Sequence, residues 1–197
     1  MKKRTTAAQL RARLKSDPEY IVRKKERDEV FRRQEEKHAL AEAHLVQELH
    51  AAAIPVNSVW DLVNSRNRYP QSIPILLDHL QRSYPDALRD GMARALAVPE
   101  AQYAWSLLVK LYREESQKRT KSGLAVALAN IADDKVIDEL IALAKDPQHG
   151  VSRVLLLDAL RRSRLPQARK ALMEFGSDQL LQKEAQQILR RLKRAHK

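Results

Sequence analysis

Cysteine does not occur in the 197-residue chain. That excludes disulfides, thiolate metal ligands and cysteine nucleophiles together. Glycine (4) and proline (8) are scarce, about half of average usage, so a turn-rich all-β fold is disfavoured. No apolar run approaches the ~18 residues of a membrane-spanning helix, and no membrane partner is expected. The start, Met1-Lys2-Lys3-Arg4, is basic, but Gln9, Arg11 and Arg13 interrupt the residues after it. A secretory leader needs a continuous apolar stretch there, so a cytoplasmic location is expected. The glycines are Gly91, Gly123, Gly150 and Gly176, which form no phosphate-cradling loop and no G-x-S-x-G elbow.

Leucine (28) and alanine (26) dominate the composition, and both favour helix. The formal charge is +12, a balance that ordinarily suggests nucleic acid. It is concentrated at the ends. Residues 1–15 carry +6 and residues 164–197 another +6, whereas residues 54–163 carry only +2. No continuous basic groove is implied for the centre.

Apolar residues recur at a spacing of 32. Leu96, Leu128, Leu160 and Leu192 form one column, and Met92, Leu124, Leu156 and Ile188 a second. Leu76, Leu108, Leu140 and Leu172 form a third, with Leu77, Val109, Ile141 and Met173 beside it. Ala95, Ala127 and Ala159 recur likewise, and small side chains allow close helix approach. Each unit reads as two helices. The first helices are expected over 71–82, 100–114, 134–145 and 166–175, the second over 85–97, 119–132, 150–162 and 178–194. Pro70, Pro85, Pro99 and Pro166 suit helix starts, and Asp134 and Asp178 suit caps or first turns. One hairpin cannot bury its own apolar face, whereas stacked hairpins share a core.

From Leu124 through Asp133-Asp134 to Lys145-Asp146-Pro147 the pattern resembles a HEAT-like repeat, of the short type related to phycobilisome lyases. The likeness extends over about 70–194. It implies an all-α fold: a right-handed α-solenoid of about four HEAT-like hairpins. The family favours an acidic residue in the turn and a basic one early in the second helix. The turn column here is Arg82, Glu114, Asp146 and Asp178; seven residues on come Arg89, Lys121, Arg153 and Ala185. The resemblance implies that these cations form a ladder of ion pairs and carbonyl contacts between repeats. The other reading is a row of cations that tracks an acidic partner.

Ahead of the repeats, Ser16-Asp17-Pro18-Glu19 is a helix-start signal, and no breaker occurs until Pro55. The division expected is a basic tail over 1–15, a long helix and a short capping helix over 16–69, and a HEAT-like repeat domain over 70–197. Tyr20 and Phe31 are expected to dock on the repeats or on another chain. Trp60 is expected to be a core plug.

Catalytic chemistry finds little support. His38, His44 and His50 are six apart, so they do not share a helical face; no metal site and no cofactor is expected. Some HEAT-like proteins are DNA glycosylases, but the second helices lack Trp, Tyr and Phe, and an extruded base would have no stacking platform. A tetrapyrrole lyase is disfavoured further by the missing cysteine. An immunity protein for a basic toxin is disfavoured by charge.

The expected function is a non-enzymatic protein–protein interaction scaffold. Its partner would meet exposed residues of the second helices: Arg89, Arg94, Lys121, Arg153 and Asp158. The alternative is a nucleic-acid-binding scaffold that uses phosphate contacts. It would rely on Arg161, Arg162, Arg164, Arg169, Lys170, Arg190 and Arg191, with Lys193 and Arg194 beyond them. Weak binding of nucleic acid is expected in either case from the net charge.

Overall fold

A computed structural model describes residues 6–7 and 15–195. Most of the expected 1–15 tail lies outside the described residues, as does His196. All regular structure among the described residues is helical, so the fold is all-α. By packing the chain divides into Met1–Ala41 and Glu42–Lys197. No described helix is long and apolar enough to cross a membrane.

In the first unit, α1 (Pro18–Ala51) opens where the sequence signals a start. Asp17 is the cap: its carboxylate accepts from the backbone N–H groups of Glu19 (3.0 Å) and Tyr20 (3.3 Å). The exposed turns beyond it are laced by four-residue pairs, Arg23–Glu19, Arg33–Glu29 and Arg32–Glu36. Such pairs support a helix that has little apolar face to bury. Ile21, Val22, Val30 and Phe31 are exposed.

The second unit begins within α1, where Leu45 and Leu49, one turn apart, are fully buried. The helix ends at Ala51, ahead of Pro55, and Ala53 turns the chain with a positive φ of 61°. Next comes α2 (Val59–Val63), whose start is closed by a capping box of Ser58 and Asp61. Buried Glu42 accepts from the Ser58 hydroxyl and the Val59 N–H, which fixes the start of α2 on α1.

Four helical pairs complete the chain. They are α3 (Ser72–Leu80) with α4 (Asp86–Ala95), α5 (Trp105–Glu114) with α6 (Lys118–Ile131), α7 (Ile137–Lys145) with α8 (Arg153–Arg162), and α9 (Pro166–Glu174) with α10 (Gln182–Ala195). Short 3-10 turns precede α5 (Pro99–Ala104) and α8 (Pro147–Ser152) and succeed α9 (Phe175–Ser177). The two members of each pair pack together, and α4 packs on α6, α6 on α8 and α8 on α10. Of the four apolar columns, every member is buried except Leu192 and Met173, both in the last pair.

Two glycines explain how closely these helices approach. A Cβ on Gly91 would lie 2.7 Å from a Val59 methyl, and one on Gly123 would lie 2.8 Å from the Asp90 carbonyl oxygen. Trp60 packs against Gly91 but is only half-buried, short of the core plug expected of it. Asp178 caps the approach to α10 through the N–H groups of Leu180 and Leu181. Ahead of α7 the local contact comes from Asp133, which accepts from the Lys135 N–H. Asp134 instead accepts from the Ser163 hydroxyl, 29 residues away.

Hydrogen bonds between pairs carry the period of the sequence. Arg68 reaches Glu100, Gln102 reaches Asp133, and Trp105 donates to Glu139. Thr120 and Arg119 N–H groups donate to Asp86, and Arg162 donates to the carbonyls of Ala129 and Asn130. These separations run from 31 to 34 residues.

Candidate functional site

The cation column on the second helices is the first candidate surface. Arg89 donates through Nε to the Leu80 carbonyl (3.3 Å) and pairs with buried Glu115. Lys121 donates to the Glu115 carbonyl (2.9 Å), with its ammonium 5.3 Å from the centre of the Tyr112 ring. Burial pulls the Lys121 pKa down, against the pull of Glu115 and Asp146. Arg153, only 5% exposed, donates to the Ala144 carbonyl (3.1 Å) and to the Asp178 carboxylate (3.0 Å). Each cation therefore reaches a carbonyl at or just past the end of its own first helix, and Arg89 and Arg153 also meet a carboxylate of the following pair. Burial acts against the Asp178 carboxylate, but the Leu181 and Leu180 N–H groups and Arg153 outweigh it and hold its pKa low.

The expectation that these three cations are free for a partner is corrected by this geometry. Arg153 is buried, and Arg89 and Lys121 are partly buried against carbonyl oxygens that would otherwise lack donors. Arg94 is paired with Asp90 (2.7 Å). Asp158 is paired with Arg161 and Arg162. Exposed apolar side chains on the same layer were not singled out from sequence. Val151 is 66% exposed and Leu155, four residues on, 36%. Both belong to apolar-rich stretches that read as core.

The arginines of the phosphate reading divide. Arg161, Arg162, Arg164 and Arg169 line one cleft with Leu165 and Leu192. Arg161 and Arg162 are tied to Asp158, and Arg162 also caps the end of α6. Among the described residues, Arg164 and Arg169 have no ion-pair partner. Arg190 donates to the Gln186 carbonyl within its own helix. Lys170 and Arg191 are exposed.

Two further clusters hold titratable groups. Behind Lys121, the Tyr112 hydroxyl meets the Ser152 hydroxyl at 2.8 Å, and the Tyr112 and His149 rings lie 4.5 Å apart. Burial pushes the Tyr112 pKa up to about 12 and, with Lys121 nearby, pulls the His149 pKa down. His44 and Glu48, one turn apart on α1, meet His79 of α3. Comparing histidines only with one another hides this cluster, because its helical partner for His44 is a carboxylate. The spacing His44–Glu48 was the available signal. A cavity beside Val56, Leu62 and Tyr69 has two charged members that are already engaged, Asp61 in the cap of α2 and Arg68 on Glu100. No family model, no curated protein and no solved structure matches this chain.

Proposed function

We propose that residues 70–195 form a solenoid of four HEAT-like hairpins that serves as a non-enzymatic scaffold for another protein. The repeat reading is supported by hydrogen bonds between positions about one 32-residue unit apart. The observation that carries the choice of partner is the engagement of Arg89, Lys121 and Arg153 inside the fold. A phosphate chain that tracks the second helices would need those cations free. What is exposed there instead is Val151, in the turn before α8, and Leu155, on α8 about one turn before the paired Asp158, Arg161 and Arg162. Exposed apolar groups with arginine on the same helix suit a protein partner.

The test is crosslinked capture from the native host, read by mass spectrometry. A specific partner should be recovered with the natural chain and lost with Val151→Asp/Leu155→Asp, whose helicity is checked by circular dichroism. Arg164→Glu/Arg169→Glu should retain it. Equal recovery on the first variant would contradict the placement of the surface.

A nucleic-acid scaffold is the second reading. It is favoured by Arg164 and Arg169, which share one cleft and have no ion-pair partner among the described residues. Those two arginines probe it cleanly, whereas Arg89→Glu would set a carboxylate against Glu115.

A further inference from the structure

Three groups converge where α1 meets α3. His44 Nδ1 lies 3.3 Å from one Glu48 carboxylate oxygen, and His79 Nε2 lies 3.1 Å from the other. One ligand atom from each of the three residues lies within 4.8 Å of those of the other two. Neighbouring ligands of a tetrahedral zinc ion, held at about 2.0–2.1 Å, are separated by roughly 3.3 Å. The two imidazole–carboxylate spacings, one to each Glu48 oxygen, are close to that edge.

The hydrogen-bonding state of His79 points the same way. The residue is fully buried, and its Nε2 forms no hydrogen bond, although a carboxylate oxygen is 3.1 Å away. The distance is that of a contact, but the alignment is not that of a bond. The other ring nitrogen, Nδ1, sits 2.7 Å from the Tyr84 hydroxyl. With the proton on Nδ1, donated to Tyr84, Nε2 presents a lone pair to a carboxylate. That is an unfavourable pairing unless a cation lies between them. Metal-bound histidines commonly have this outer contact, which fixes the tautomer and the ring plane. His44 Nδ1 is likewise an acceptor, since Arg82 Nη1 donates to it at 3.4 Å.

We propose that His44, Glu48 and His79 bind a divalent transition-metal ion, with Zn²⁺ the favoured occupant. Two imidazoles and one carboxylate form a donor set that suits zinc. Among the described residues none supplies a fourth ligand to the cluster, and the side chain of His44 is 62% exposed. The fourth position would thus face solvent and take a water or a donor atom from a partner. Arg82 is the competing cation, 3.8 Å from Glu48. It is also paired with Asp78, where it can remain when a metal enters. This site is independent of the scaffold reading and of the arginine cleft.

The experiment is calorimetric titration of the full chain with ZnCl₂, repeated with CoCl₂ to record the visible absorption of the bound ion. One ion per chain should bind with micromolar or tighter affinity, and cobalt should show the intense bands of tetrahedral coordination. His44→Ala removes an exposed ligand and should leave the fold intact, yet weaken binding at least tenfold and abolish those bands. Glu48→Gln should weaken binding likewise, and Arg82→Gln should strengthen it. If zinc gives no saturable one-to-one binding, the proposal fails. It fails equally if His44→Ala binds as tightly as the natural chain, which would locate the ion elsewhere.

Discussion

Gly123 shows how much a single atom decides in this protein. Its missing Cβ leaves room for the Asp90 carbonyl, which a methyl group would approach to 2.8 Å. That neighbour is backbone and cannot rotate away. Gly123→Ala should therefore destabilise by about 1–3 kcal/mol, as overpacking commonly does. Gly176→Ala meets nothing within 4 Å and should stay within about 0.5 kcal/mol of the natural chain. Urea unfolding of both variants checks the contrast. His149 supplies a pH dependence. Burial and Lys121 depress its pKa below the ordinary 6.5, so below that pH the unfolded chain binds more protons than the folded one. Stability from this group is full above about pH 6.5 and is lost as pH falls toward the folded value. The urea midpoint should drop between pH 7 and pH 5, and His149→Gln should lessen the drop.

At the scale of the helix, the apolar columns were legible because a 32-residue spacing shows in the bare sequence. Leu96, Leu128 and Leu160 are buried as expected. The last pair departs, with Met173 exposed and Leu192 half-buried. Leu128→Ala and Leu140→Ala should each cost roughly 2–5 kcal/mol. Leu192→Ala should cost less, since Leu192 is only half-buried and has less apolar contact to lose. Equal losses in urea titrations would contradict this reading of the packing. The cation column was also visible, but its use was not. Periodicity places Arg153 on a face; it does not say that Ala144 and Asp178 lie within reach of it. The His44–Glu48–His79 cluster is only partly legible for a related reason: His44 and Glu48 share a helical face, but His79 is 31 residues from Glu48 and only folding joins them. Neither aspartate ahead of α7 caps it: the helix starts after Val136 without a side-chain cap, and Asp133 and Asp134 bond to Lys135 and Ser163 instead.

Over the whole molecule, the charge of +12 guarantees some attraction to nucleic acid at low salt. Such binding comes from counterion release and falls steeply as salt rises. Where the cations are used decides whether anything stronger remains. Arg89, Lys121 and Arg153 hold carbonyls and carboxylates of their own fold, which leaves them less to offer a partner. The most direct measurement is fluorescence anisotropy of labelled duplex DNA at about 150 mM salt, a condition under which non-specific dissociation constants are typically 10⁻⁴–10⁻⁶ M. The natural chain and Lys121→Gln should both bind weakly and alike. A submicromolar constant that Lys121→Gln weakens would contradict the internal role of the column and make nucleic acid the partner.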